Sequence, residues 1–412
     1  GYPNGSAASH VLGFTGVDNV GLEGVEYLYD QHLKGIAGWK KSRKDARQRE
    51  VVSRQEDLVL PVDGYDVKLT LDLQIQHAAE KYLNEGCSKY HALGGSAIVV
   101  DPKTGDVLAL ANYPKFDPNN PGDADVSYRR NRAITDVFEP GSVFKVFAIC
   151  GVLDSGAAKM NDRVFCENGM YRTGGRILHD VHPYGILSVA EILINSSNIG
   201  TSKLTERLGK KKLHEHIKAF GFGERTDIDL PGEIVGIFRD VGKWSATSIS
   251  SVGMGQEIGV TSIQMAQALA AIVNGGMLLK PRILIEISNK EKIIKKYLPE
   301  VKRRAISESA AAQMMQMMQQ VVESGTGKNA AVKGFTVGGK TGTAQKLEPN
   351  GSYSHEHFIA SFGGYIKISE DEKYVIMVSV DDPKPAYYGG TVAAPIFQKI
   401  AQNIADTRGS HS

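Results

Sequence analysis

The sequence runs to 412 residues with a formal net charge of +2. That length exceeds one ordinary core and fits one large domain with a smaller one. So small a charge gives no field for nucleic acid, no run of about 18 apolar residues marks a membrane span, and Cys87, Cys150 and Cys166 have no zinc or redox spacing.

The chain opens GYPNGSAASH, without an initiating Met, and is read as trimmed, with an anchor left off. Residues 1 to about 60 are Gly-rich and then charged, and the basic run 39–49 reads as a solvated linker. Pro61, Asp63 and Gly64 punctuate a boundary near 61–64. LDLQIQHAAEKYLNEG then has helical periodicity, with Thr70 or Asp72 as N-cap and Gly86 as stop. SAIVVDPKTGDVLALANYP predicts two strands about a Pro-Lys-Thr-Gly turn. The middle reads as mostly helical, as in SVAEILINSSNIGTSKLTERLG and SAAAQMMQMMQQVVES. GFTVGGKTGTAQK, FIASFGGYIKI and KYVIMVSVDD predict three more strands, the first two separated by a polar loop, and AAPIFQKIAQNIAD a closing helix. The final RGSHS reads as a vector remnant. Strands at both ends with helices between predict an α+β fold around one antiparallel sheet.

Three short motifs carry chemistry. In FEPGSVFK, Pro140-Gly141 turns the chain into a helix whose first turn holds Ser142. Lys145 lies one turn on, on the same face, among apolar neighbours that disfavour its ammonium form. A neutral amine beside a hydroxyl at a helix N-terminus makes an activated nucleophile with N–H groups for an oxyanion. Ser-x-x-Lys alone arises by chance about once or twice in such a chain. It then reads as a capping Ser and a snorkelling Lys.

The other motifs overturn that reading. In NSSNIG, Ser196 is a candidate proton relay and Asn198 a candidate holder of a substrate amide. In VGGKTGTAQ, Lys340 offers a fixed charge, Thr341 faces the other way on a strand, and Thr343 adds a hydroxyl and an N–H. Gly342 removes a side chain where another backbone or a substrate comes close. Lys-Thr-Gly is expected by chance only about a tenth of a time. Ser-x-x-Lys, Ser-x-Asn and Lys-Thr-Gly in this order form the set of penicillin-binding proteins and class A β-lactamases.

With these motifs the sequence resembles the class B penicillin-binding proteins, most closely the cell-division (septal) transpeptidases. YPNGSAASHVLGFTGVDNVGLEGVE is similar to the end of that family's non-catalytic pedestal. GSAIVVDPKTGDVLALANYPKFDPNN and RNRAITDVFEPGSVFK resemble the start of its transpeptidase domain, and VDDPKPAYYGGTVAAPIF its last strand and helix. The resemblance implies a β-lactamase/transpeptidase-like domain at 63–408 behind a pedestal remnant at 1–62. It implies that Ser142 attacks the penultimate D-Ala of a peptidoglycan stem peptide, with Lys145 as base and Ser196 passing a proton to the leaving amine. Asn198 would position Lys145 and the substrate amide. Lys340, Thr341 and Thr343 would hold the substrate, with an oxyanion hole at the Ser142 and Thr343 N–H groups. β-Lactams would acylate the same Ser. No cofactor and no metal is implied. The family's setting is the outer face of the bacterial cytoplasmic membrane, beside a membrane-embedded glycan polymerase and other division proteins. Val143-Phe144 depart from the small polar residue and Val of many relatives, which leaves the inhibitor pocket's shape open.

Other candidates read as structure. His214–His216 and His355–His357 lack zinc-protease spacing and read as polar loop or helix surface; His179–His182 lacks further ligands. Met314, Met315, Met317 and Met318 read as helix packing. Tyr387-Tyr388 either wall the cleft or form a turn. Rival functions are a β-lactamase or D,D-carboxypeptidase, a non-enzymatic β-lactam sensor, and elongation- or sporulation-type transpeptidases. No Glu-x-x-Leu-Asn-like stretch occurs in 199–339 for deacylation, Glu191–Asn195 precedes the second motif, and residues 1–60 argue against carboxypeptidase and sensor.

Overall fold

The Pro-Lys-Thr-Gly turn joins β1 (Gly94–Val100) to β2 (Val107–Tyr113). β1 is buried along its whole length. Its side chains alternate, Ala97 and Val99 entering one apolar layer and Ile98 and Val100 the other. A strand apolar on both faces belongs inside a three-layer arrangement. The computed structural model describes residues 1–40, 43–44, 50–51, 58–348 and 350–409. Most of the basic run 39–49 and the last three residues of RGSHS lie outside them.

β3 (Thr336–Leu347), β4 (Tyr353–Lys367) and β5 (Lys373–Asp381) complete the sheet. Its order is β3-β4-β5-β1-β2, antiparallel throughout. The early hairpin thus docks on the last strand, with Ile98 opposite Met377. This is the α+β architecture expected, a central antiparallel sheet flanked by helices. The β3–β4 hairpin runs further than the sequence suggests, because Leu347 pairs with Tyr353 beyond the apolar segments. His355–His357 therefore lie on a strand, not in a loop or on a helix.

The helices that position the site are α1 (Leu73–Lys89), α2 (Lys145–Asp154), α3 (Val189–Ile194), α4 (Asn198–Leu208), α5 (Ser262–Val273), α6 (Glu308–Glu323) and α7 (Gly389–Arg408). α1 and α7 cover one face of the sheet, with Ile75, Leu83, Phe397 and Ile400 packed against Phe362 and Ile376. Asp72 caps α1 by accepting from the Gln74 and Ile75 N–H groups. Gly86 does not stop this helix. A Cβ there would stand 2.3 Å from Ile396 Cδ1, so the glycine is a contact point between helices. α2, α5 and α6 fill the other face. Met314, Met317 and Met318 are fully buried there, as packing residues.

The middle of the chain is less helical than expected. Met170–Thr173 and Arg176–His179 form a hairpin about Gly174-Gly175. The first residues are also tied in: Ala8 N–H donates to Glu80 on α1 at 2.6 Å, and Val11, Val25 and Tyr29 share a core with Ile98 and Leu110. Among the described residues, no helix is long and apolar enough to cross a membrane.

Candidate active site

Gly141 has φ +55, a left-handed conformation that favours glycine, and a Cβ there would stand 3.1 Å from Thr343 O. It opens a tight 3₁₀ turn, Gly141–Phe144, which precedes α2. Ser142 sits on this turn against β3, half-buried, and lines the cleft. Val143 and Phe144 point into the core. Phe144 packs edge-on against Phe147 and Phe222, with centroids 5.5 and 5.0 Å apart. The unusual pair in the first motif therefore shapes the core behind the cleft and not its lining.

Lys145 is fully buried. Its amine donates to Ser196 O at 2.6 Å and Asn198 Oδ1 at 2.8 Å, with Ser196 Oγ further off at 3.3 Å. Burial lowers its pKa to about 7, and the charge of Asp180 opposes that shift. A neutral amine has two N–H groups and one lone pair. The two short contacts use both N–H groups and leave the lone pair to take a proton. Among the described residues, Ser142 Oγ has no hydrogen-bond partner, so Ser142 and Lys145 are neighbours on one turn without being bonded. Catalytic hydrogen bonds are often long in free enzymes and tighten with substrate.

Ser196 reaches Lys145 through an uncommon backbone. Its φ is +59, between the end of α3 and the start of α4. This turns its carbonyl to the amine. Ser197 caps α4, its Oγ accepting from Gly200 N–H.

Lys340 lies on the opposite face of β3 from Thr341 and Thr343, as strand alternation predicts, and is fully buried. Its amine reaches Thr341 O at 3.2 Å and Thr341 Oγ1 at 3.3 Å; Thr341 Oγ1 in turn meets Thr326 Oγ1 at 2.9 Å. Burial, then the nearby Lys145, pushes its pKa well down. No carboxylate pairs with it among the described residues. Lys340 itself does not line the cleft that Thr341 and Thr343 line.

The motifs meet in a cleft of about 1460 Å³ lined by Ser142, Ser196, Asn198, Thr341 and Thr343. The likeness to known proteins matches this geometry. Residues 95–402 match the penicillin binding protein transpeptidase domain, and residues 1–69 the penicillin-binding protein dimerisation domain. Stage V sporulation protein D of Bacillus subtilis is 40% identical over 98% of this chain, which spans 63% of that relative's length. Peptidoglycan D,D-transpeptidase FtsI of Escherichia coli is 33% identical over 98% of this chain and 67% of its own. Penicillin binding protein 3 of Mycobacterium tuberculosis, solved with aztreonam, superposes with a TM-score of 0.86 at 31% identity, covering 99% of this chain and 90% of that one.

The chain belongs to the class B penicillin-binding proteins.

Within this penicillin-binding protein, Gly342 serves the protein's own packing. A Cβ there would stand 2.4 Å from Ser361 Oγ, 2.7 Å from Val143 Cγ2 and 2.8 Å from Pro140 O. Tyr387 and Tyr388 do wall the cleft, Tyr387 stacking on Phe358 at 4.1 Å. The 179–182 segment, read as plain polar structure, also lines it through His179, Val181 and His182. Sequence reasoning passed over two residues here. Thr326 joins Thr341 across 15 positions. Asp180 binds the start of α4, accepting from Ser197 Oγ at 2.6 Å. No local pattern marks either one, because each acts through a contact between distant segments.

Proposed function

We propose that this protein is a serine D,D-transpeptidase that cross-links peptidoglycan stem peptides through an acyl-enzyme on Ser142. The observation that carries the reading is the buried Lys145 amine, held by Ser196 and Asn198 one turn from Ser142. The lone pair of Lys145 takes the Ser142 proton as Oγ attacks the penultimate D-Ala carbonyl. The oxyanion forms beside the N–H groups of Ser142 and Thr343. The C–N bond then breaks, and the proton passes through Ser196 to the departing D-Ala amine. An amine of a neighbouring stem attacks the ester, forms the cross-link and frees Ser142. Lys340, Thr341 and Thr343 receive the terminal carboxylate. A β-lactam carbonyl enters by the same route.

Slow deacylation also has support in the cleft. Among the described residues lining it, the one carboxylic acid is Glu139. Its Oε1 accepts from the Glu257 N–H at 2.8 Å and the Tyr353 hydroxyl at 3.3 Å, which ties it to the fold, while its Oε2 is buried from solvent without a hydrogen-bond partner among the described residues.

The setting proposed is septal wall synthesis on the outer face of the cytoplasmic membrane, with a membrane-embedded glycan polymerase and other division proteins as partners. FtsI as a relative supports it. The 40% identity to the sporulation protein supports a second reading, a sporulation-type transpeptidase. Filamentation on depletion during growth favours the first, and a defect confined to spores the second.

Incubation with benzylpenicillin should add one penicilloyl mass, on a peptide containing Ser142, that persists for minutes to hours after free drug is removed. Labelling of Ser142→Ala would sink the assignment. Recovery of unmodified protein within seconds, with steady nitrocefin turnover, would move the reading to a β-lactamase.

A further inference from the structure

We propose that Asp180 is a positioning residue for the Lys145 base: it fixes the start of α4 so that Ser196 and Asn198 hold the amine beside Ser142. The inference rests on the transpeptidase reading above.

Both oxygens of Asp180 are committed. Oδ2 accepts from Ser197 Oγ at 2.6 Å, and Oδ1 from the backbone N–H groups of Asn198 at 2.5 Å and Ile199 at 3.1 Å. These are donors that a helix start otherwise leaves free, and a carboxylate there also meets the positive end of the helix. The preceding residue completes the clamp, His179 O accepting from Asn198 Nδ2 at 2.9 Å. That contact sets the amide's orientation. With Nδ2 on a carbonyl, Oδ1 must face the Lys145 amine; the flipped amide would set donor against donor and acceptor against acceptor. One end of the 176–179 strand thus orients the base through two intermediaries, and Asp180 itself does not line the cleft.

The same carboxylate acts on the amine through space. Burial alone weakens Lys145 as a base, and Asp180 offsets that. A general base works best with its pKa near the working pH. The charged groups facing the amine are Lys340 from β3 and Asp180 from the hairpin. Cys166 and Tyr184 flank Asp180, and burial raises the pKa of both. The imidazoles of His179 and His182 border it in sequence.

The test is the pH profile of benzylpenicillin acylation, read by intact mass from about pH 5.5 to 9. Asp180→Asn removes the charge and keeps the size. Its maximal rate should fall about ten- to a hundredfold, as expected for a misplaced reacting group. Its acid limb should also move down by about half to one pH unit, because the carboxylate favours protonated Lys145. Asp180→Glu keeps the charge but lengthens the arm, so the rate should fall while the limb stays with the parent. The downward move should persist when His179 and His182 are both replaced by Asn. A lower rate with an unmoved limb in Asp180→Asn would reduce Asp180 to a structural cap and overturn the proposal. If the Asn variant does not fold, the Glu variant decides, and a Glu variant matching the parent in rate and limb overturns it. A parent that acylates and an Asn variant that matches it at every pH reject only the role of Asp180. A parent that never forms an adduct rejects the transpeptidase reading and this inference together.

Discussion

The amine of Lys145 donates to the side-chain carbonyl of Asn198 at 2.8 Å, across 53 positions of sequence. A guanidinium in its place also donates hydrogen bonds but keeps its charge at every accessible pH.

Lys145→Arg should therefore lose acylation by benzylpenicillin about a thousandfold or more, the scale of a missing general base. Thermal unfolding run beside it checks that the fold survives. An Arg variant acylating within tenfold of the parent would show that charge alone, and not proton transfer, is what position 145 supplies.

The pH dependence follows from the same residue. Burial lowers Lys145 to about 7. The reactive form is the neutral amine, and its fraction grows as pH rises through that value. Acylation should climb about tenfold per pH unit well below 7 and level off above it. Stopped-flow or quenched mass measurements across this range check it, and a flat profile between pH 5.5 and 7 would exclude Lys145 as the titrating base.

The sheet and the three motifs were legible in the sequence because each leaves a local mark. Short runs bounded by turn residues give β1 to β5, and Lys-Thr-Gly is rare by chance. What was hidden depends on contacts between segments. Gly86 has the signature of a helix stop, yet Ile396 from α7 packs over it and the helix continues. Phe144 stands inside a catalytic motif, yet packs against Phe222 in the core. The Met170–His179 hairpin sits in a stretch read as helical, and with it the carboxylate of Asp180 reaches α4.

Gly342 makes the reverse case, a local signal whose reason is tertiary. Its missing Cβ lets Pro140 O and Val143, at the turn that carries Ser142, lie against β3. Gly342→Ala must displace that turn or Ser361. Overpacking of this kind costs about 1–3 kcal/mol. The variant should lose several degrees of melting temperature and at least tenfold in acylation rate. Gly122→Ala, where nothing lies within 4 Å of the new atom, should match the parent in both. Equal behaviour of the two variants would mean that β3 and the turn yield freely.

Lys340 sets function against stability. Its amine is fully buried, and its partners among the described residues are the Thr341 carbonyl at 3.2 Å and the Thr341 and Thr326 hydroxyls at 3.3 and 3.5 Å, with no carboxylate among them to balance a charge. On the proposed function, a substrate carboxylate would supply that balance. Lys340→Met keeps the length and removes the amine. It should cut acylation by benzylpenicillin, which carries a carboxylate, about a hundredfold or more, the loss expected when a buried charge pair cannot form. It should also raise the melting temperature, because a buried and unpaired amine no longer has to be desolvated. The sign of the pH effect follows from the direction of the shift. Burial lowers the pKa of Lys340 in the folded state. The unfolded chain therefore binds the extra proton between that lowered value and about 10.4, and the parent gains stability as pH rises through this window. The advantage of Lys340→Met should be largest at low pH and shrink toward pH 10. Melting curves at pH 6, 8 and 10 check this. A Met variant that loses both acylation and stability at every pH would mark Lys340 as a structural residue of β3.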